Sequence, residues 1–106
     1  MHGTLNLLYT LQLSVHARPE DAEAAEAKRY KGATVDIDYP VVPRTGEFFT
    51  VHPALEPLEV TRVTHWGPGF ADSMWTEIHF SAPLEDIEIL LTPREDIEEE
   101  WTPEQP

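Results

Sequence analysis

The sequence predicts a small α+β domain that is mostly β: a small antiparallel, partly open barrel or bent sheet of five to six strands, with one surface helix and a short acidic C-terminal helix. Three observations support this fold class. Apolar residues alternate with polar ones in several short segments, which is the period of half-buried strands. One segment carries matched helix start and stop signals. A chain of 106 residues with 41% hydrophobic content suits one compact domain. An open antiparallel sheet with the helix packed on one face is the alternative topology.

The first two predicted elements are a long strand and a helix. Between residues 5 and 15, apolar residues occupy every second position, a pattern typical of a half-buried strand. The segment from Pro19 to Lys31 places proline at the first helical position, acids in the first turn and bases in the last, and Gly32 follows it. Its apolar side chains are mostly alanine, so the helix is expected on the surface.

Further strands follow from the same alternation and from turn residues between the segments. They cover residues 33–39, 47–51, 58–66 and 73–80, the last two joined as a hairpin by a six-residue loop over 67–72. Residues 86–91 are ambiguous. Ile87, Ile89 and Leu91 suit a strand, which is favoured, whereas Leu84, Ile87 and Leu91 would share one face of a helix.

The chain ends in a strongly acidic segment. Between Ala82 and Pro106 there are nine acidic residues against one arginine, in a chain whose net charge is −13. Thr92, Pro93 and Glu95 form the start signal of a short helix that would reach about Trp101. We therefore divide the chain into a β-rich domain, residues 1–91, and an acidic helix or tail, residues 92–106.

One stretch of the chain has a family resemblance. Its residues are Val42-Pro43-Arg44-Thr45-Gly46-Glu47-Phe48-Phe49-Thr50-Val51, then Leu58-Glu59-Val60-Thr61-Arg62-Val63, then the strand from Met74 to Phe80. This order resembles Src-homology-3-like small β-barrel modules, in which a glycine–acid pair often opens a strand whose next hydrophobic residues face the core. The resemblance implies a small barrel over residues 42–80 and carries almost no information about function.

The hairpin carries the one cluster that suggests a chemical site. A centred loop would pair His65 with Trp75 and Thr61 with His79, so that His65, Glu77 and His79 share a sheet face. Two imidazoles and a carboxylate are suited to binding a divalent metal or to acid–base chemistry near neutral pH. Ordinary polar residues on the wetter face of a hairpin explain the same pattern, and a slip of one residue would scatter the set.

Composition excludes several classes of function. The chain has no cysteine, which removes disulfides and thiolate chemistry and suits a reducing compartment. The apolar start is interrupted by polar residues and has no preceding lysine or arginine, so a secretory signal is not expected, and no stretch approaches a membrane span. The few basic residues form no contiguous face for DNA or RNA. We expect a cytoplasmic protein that binds neither nucleic acid nor membrane.

These observations favour a non-enzymatic binding protein that docks on a basic protein surface, with no cofactor. One form is an inhibitor of the phage or mobile-element type that mimics nucleic acid. The predicted partner-binding residues are Glu95, Asp96, Ile97, Glu98, Glu99, Glu100 and Trp101, unless Ile97 and Trp101 fold back on the domain. One alternative is a metal-binding module or metal-dependent enzyme using His65, Glu77 and His79. Another is a subunit of a homo-oligomer that pairs through the first strand or through residues 33–39.

Overall fold

A computed structural model describes residues 8–28, 30–66, 75–97 and 100–104 of the chain. The strands are β1 (Tyr9–Ala17), β2 (Gly32–Tyr39), β3 (Phe48–Phe49), β4 (Leu58–Trp66), β5 (Trp75–Ala82) and β6 (Thr102–Glu104). The α-helices are α1 (Ala22–Ala27), which a 3-10 turn at Pro19–Asp21 precedes, and α2 (Leu84–Leu91). The expected class, α+β and mostly β, is confirmed.

The strands form one open sheet in the order β3-β4-β5-β1-β2-β6. β1 lies near the centre, antiparallel to β2 and parallel to β5. The expectation of a wholly antiparallel sheet is therefore wrong. β5 follows β3 and β4 in the chain. It lies beside β1 in the sheet and runs in the same direction as β1. No strand pairing among the described residues joins β3 to β6, so the sheet is not closed into a barrel.

One face of the sheet carries the hydrophobic core. Leu11, Leu13 and Val15 alternate along β1 and are at most 2% exposed, as the period-two pattern predicts. The same face of β5 contributes Ile78 and Phe80, both fully buried. The predicted hairpin is confirmed by the antiparallel pairing of β4 and β5, while its loop over 67–72 and residues 73–74 lie outside the described residues.

The helix predicted over residues 19–31 is shorter than expected. Beyond the 3-10 turn, helical structure ends at Ala27 with Lys28 as its C-cap. Ala25 is the buried residue of α1, so the helix has little apolar surface with which to extend its packing. Lys31 instead donates its backbone N–H to the carbonyl of Glu104 at 2.9 Å, directly before β2 begins at Gly32.

The strand favoured for residues 86–91 is wrong, because this segment forms α2. Its buried residues are Leu84, Ile87 and Leu90, the spacing of one helix face. β5 already has β4 on one side and β1 on the other, so a strand directly after it could not pair with β5. Neither helix in the described part of the chain has the length and apolar content that a membrane crossing needs.

The helix predicted from Pro93 to Trp101 is also wrong for the residues described there. Glu95 and Asp96 lie in a turn, and the chain then returns to pair β6 with the first residues of β2. Trp101 is 7% exposed and belongs to the core. A nine-residue helix is marginal in water, whereas this path buries a large aromatic ring and adds sheet hydrogen bonds.

Candidate functional site

The face of the sheet opposite the core brings together polar side chains from β1, β4, β5 and β6. We call this group the polar cluster: Ser14, His16, Thr64, Glu77, His79 and Glu104. Ser14 donates from its hydroxyl to Glu77 Oε2 at 3.2 Å. His16 Nε2 and His79 Nδ1 are 3.0 Å apart, so one imidazole donates its N–H to the other. The two rings are nearly parallel, with 14° between their planes.

Each end of this imidazole pair meets a carboxylate. His16 Nδ1 lies 3.6 Å from Glu104 Oε2, and Lys31 Nζ lies 3.5 Å from the other oxygen of that carboxylate. At the opposite end, His79 Nε2 lies 3.6 Å from Glu77 Oε1 and 3.4 Å from the hydroxyl of Thr64. The cluster therefore contains a line of carboxylate, imidazole, imidazole and carboxylate that runs from β6 across β2 and β1 to β5.

The surroundings of His79 favour its neutral form. The residue is 5% exposed, and this burial is the main reason that its pKa lies below the usual value for histidine. The carboxylate of Glu77 opposes the effect, while Arg62 and His16 reinforce it. A neutral ring has one donor and one acceptor nitrogen, which suits a linear chain of hydrogen bonds.

The predicted trio of His65, Glu77 and His79 is only partly brought together. The hairpin register differs from the prediction by one residue, because Thr76 rather than Trp75 faces His65. His65 therefore lies on the other face of the sheet, where its Nδ1 is 3.2 Å from the hydroxyl of Thr76. A β-bulge between Val60 and Arg62 adds a further irregularity to the pairing.

The polar cluster does not converge on a single point as metal ligands do. The facing nitrogens of its two imidazoles are engaged with each other, and the outer nitrogens face opposite ends of the line. Within the described ranges, no group of three His, Asp or Glu residues is placed to hold a metal ion. The arrangement is suited to a hydrogen bond in which one imidazole donates its N–H to the other.

The site predicted from the sequence does not include His16, which the structure places in it. The alternation along β1 was a usable signal, because it puts Ser14 and His16 on the polar face. Only the parallel pairing of β1 with β5 sets them beside Glu77 and His79. Since residues distant in sequence make that pairing, alternation in one strand cannot reveal it.

The predicted partner-binding segment is divided by the structure. Trp101 packs inside its own domain, and Ile97 is half-buried beside a cavity of about 210 Å³ that His52 and Arg94 also line. The exposed acids of this segment are Glu95, Asp96 and Glu100, whereas Glu98 and Glu99 lie outside the described residues. Arg94 holds the carboxylate of Asp96 through two hydrogen bonds of 3.0 and 2.7 Å. Partner binding by these acids stays a prediction.

The sheet also limits how two copies of the chain could pair. β1 has β2 on one side and β5 on the other along most of its length, so the first strand offers no free edge. Within the described ranges, β6 pairs with β2 from Gly32 to Thr34, and residues 35–39 of β2 are paired with β1 alone. Comparison of the chain with protein-family models, with curated proteins and with solved structures finds no match.

Proposed function

We propose that this chain is a non-enzymatic binding protein whose acidic surface docks on a basic protein surface. The observation that carries the proposal is the excess of twenty acidic over seven basic residues, combined with the exposure of the acids. Exposed acids occur in the 3-10 turn, in both α-helices, in β2 and β4 and in the loops: Glu20, Glu23, Glu26, Asp36, Asp38, Glu47, Glu56, Glu59, Glu85, Glu95, Asp96 and Glu100. Such a surface attracts basic partners and repels nucleic acid and anionic membranes.

Internal ion pairs neutralise little of this charge. Within the described residues, lysine or arginine pairs with a carboxylate at Lys28–Glu88, Lys31–Glu104 and Arg94–Asp96. These pairs are at least partly exposed, and exposed pairs contribute little to stability. The remaining exposed acids are available to a partner.

One form of this function is inhibition of a nucleic-acid-binding protein by occupying its basic channel. We place the protein in the cytoplasm, where a chain without cysteine is at no disadvantage.

The proposal is tested by using the protein as bait in a nuclease-treated lysate of its native source. We expect basic proteins to be retained at low salt and released as the salt concentration rises, because exposed charges are screened. A bait carrying Glu20→Gln, Glu23→Gln, Glu56→Gln, Glu59→Gln and Glu85→Gln should retain less of the same proteins. Competition by duplex DNA would identify the inhibitor form. If no basic partner is recovered at low salt, the proposal is wrong.

A second candidate function is divalent-metal binding at Glu77 and His79. Its support is the presence of His16 and Glu104 beside these residues, so that two imidazoles and two carboxylates lie in one network. His16 would then replace the predicted ligand His65, and the hydrogen bond between the two imidazoles would have to break. Without metal, the two imidazoles bond to each other, whereas Glu104 Oε2 is buried with no hydrogen-bond partner in the described part of the chain.

Isothermal titration calorimetry, in which zinc is added to untagged protein, measures the binding and tests this second function. Stoichiometric binding should disappear in His79→Gln and persist in His65→Gln, because His65 lies on the other sheet face. Binding lost equally in both variants, or absent in the wild type, contradicts metal binding at the polar cluster.

A further inference from the structure

A cavity of about 210 Å³ lies between the end of α2 and the loop that joins β3 to β4. Its apolar walls include Leu90, Leu91, Ile97 and Trp101. A water molecule in the liquid takes up about 30 Å³, so the cavity has room for about seven waters or for one small organic molecule. It is smaller than the pockets that hold drug-sized ligands.

The loop between β3 and β4 fixes the imidazole of His52, which also lines this cavity. Pro53 follows His52 and has the backbone angle that suits a turn. The turn closes where Leu55 donates its backbone N–H to the His52 carbonyl at 3.1 Å, and Ala54 donates its backbone N–H to His52 Nδ1 at 3.0 Å. Because a backbone N–H can only donate, Nδ1 is the acceptor nitrogen of the ring. In the neutral ring the hydrogen is therefore on Nε2.

The Nε2–H group of His52 is a buried donor. The residue is 3% exposed, and burial, followed by Arg94, lowers its pKa against the opposing effect of Asp96, which favours the neutral ring. Within the described ranges this donor has no acceptor. The indole N–H of Trp101, which is 7% exposed, has no acceptor there either. Because a buried donor without an acceptor is costly, the two N–H groups favour a ligand that supplies an acceptor atom.

The charges around the cavity favour an uncharged ligand. Arg94 is engaged with the carboxylate of Asp96 through hydrogen bonds of 3.0 and 2.7 Å, so this pair adds no net charge. Glu100 lines the same cavity and has no cationic partner among the described residues. An anionic ligand would be repelled by this carboxylate and by the net charge of −13. A cationic group, in turn, cannot accept a hydrogen bond from the two N–H donors.

We propose that this cavity binds a small uncharged molecule that has an apolar body and a carbonyl oxygen, such as a ketone or an amide. The carbonyl oxygen accepts a hydrogen bond from the Nε2–H group of His52, and the apolar body packs against Leu90, Ile97 and Trp101. A carbonyl oxygen has two lone pairs and can therefore accept from the indole N–H as well. The site does not depend on the proposed function, because no acidic side chain takes part in it.

Three compounds with the same number of non-hydrogen atoms test the chemical class of the ligand: acetophenone, α-methylstyrene and benzoate. α-Methylstyrene has a CH₂ group in place of the carbonyl oxygen of acetophenone, and benzoate has a carboxylate in place of the methyl ketone. In titrations followed by NMR, we expect acetophenone to shift the indole N–H signal of Trp101 and the backbone amides of Leu91 and Arg94. It should bind about fivefold more tightly than either of the other compounds. Equal binding of acetophenone and α-methylstyrene, or tighter binding of benzoate, overturns the proposal.

Two variants of His52 separate the hydrogen bond from the shape of the cavity. His52→Leu removes the donor, so the preference for acetophenone over α-methylstyrene should fall by about fivefold. His52→Gln carries an amide that can donate and should keep part of this preference. Circular dichroism confirms that both variants fold, and the three compounds on the wild type decide the question if one does not. A preference that is identical in the wild type and in His52→Leu assigns the ligand to another site and overturns the proposal.

Two further outcomes have a definite meaning. If none of the compounds shifts these signals up to its solubility limit, solvent or the chain itself serves the two donors, and the proposal is overturned. If acetophenone binds as expected but the bait recovers no basic protein, the proposed function fails and the ligand site remains.

Discussion

His79 is a buried imidazole that ties the free energy of unfolding to pH. Burial holds its pKa below the ordinary value of 6.5 in the folded protein. As the pH falls below about 6.5, the unfolded chain binds a proton at this residue more readily than the folded chain. The contribution of neutral His79 to stability is therefore present above that pH and is lost as the pH falls toward its folded pKa.

We expect His79→Gln to flatten the decline in unfolding free energy between about pH 7 and pH 5. Urea denaturation at a series of pH values measures this decline. Part of the decline should remain in this variant, because burial and Arg94 also lower the pKa of His52. His52→Gln is therefore the matched variant. A decline that is identical in the wild type and in His79→Gln would show that His79 is not its source.

Gly32 lies in β2 opposite His16 of β1, where the backbone of β1 comes close to its Cα. A Cβ atom built on Gly32 would overlap the backbone oxygen of Val15. Neither strand can shift to relieve this overlap without disturbing the sheet. We expect Gly32→Ala to cost about 2 kcal/mol of unfolding free energy, the usual penalty for forced overlap in a packed region. Gly46→Ala is the comparison, because Gly46 has space around it but a φ of 92°. Its cost should be nearer to about 1 kcal/mol. Chemical denaturation of both variants measures the difference, and an equal or smaller loss for Gly32→Ala refutes the close approach.

At the scale of elements, α2 shows how tertiary context selects between two local structures. The apolar residues of its sequence suit either an alternating strand or one face of a helix. Ile87 is fully buried while Ile89 is only partly covered, which is the helical pattern. A strand would bury the two isoleucines alike, because they are two residues apart.

Alanine substitution of these two isoleucines tests the helix directly. We expect Ile87→Ala to lower the unfolding free energy by about 3 kcal/mol, in the range for a buried isoleucine, and Ile89→Ala to lower it by about 1 kcal/mol. The two variants remove the same atoms, so each is the control for the other. Urea denaturation that returns equal losses would favour the strand.

The candidate site was predictable only in part, for a reason that lies in the pairing of elements. Glu77 and His79 share a face because they are two residues apart in one strand, which is a local property. His65 does not belong to the site, because hairpin register depends on the loop and on irregularities such as the bulge beside Arg62. His16 was gained because β1 pairs with β5.

At the scale of the whole molecule, the net charge of −13 acts on the folded state as well as on partners. Like charges confined to a compact surface repel one another, and dissolved salt screens that repulsion. Few internal ion pairs offset it within the described residues. The acidic surface that is proposed to attract a basic partner should therefore reduce the stability of the free protein.

We expect the unfolding free energy to rise by on the order of 1 kcal/mol when sodium chloride is raised from low to physiological concentration and above. Thermal or urea denaturation at each salt concentration measures the rise. The bait variant with five glutamates changed to glutamine is the control, and its rise should be smaller because it carries less charge. A stability that falls with salt, or a larger rise in the variant, contradicts self-repulsion.

Alternation in the sequence is sufficient to locate β1, β2, β4 and β5 and to divide their side chains between two faces. Leu11, Leu13 and Val15 face the core and Ser14 and His16 face away from it because alternation is a property of the local backbone. The tertiary structure alone decided which strands are neighbours, that residues 84–91 form a helix, and that Trp101 turns inward beside β6. In each of these cases local conformations of similar free energy compete, and the burial of apolar surface and the pairing of backbone groups between distant segments select one of them.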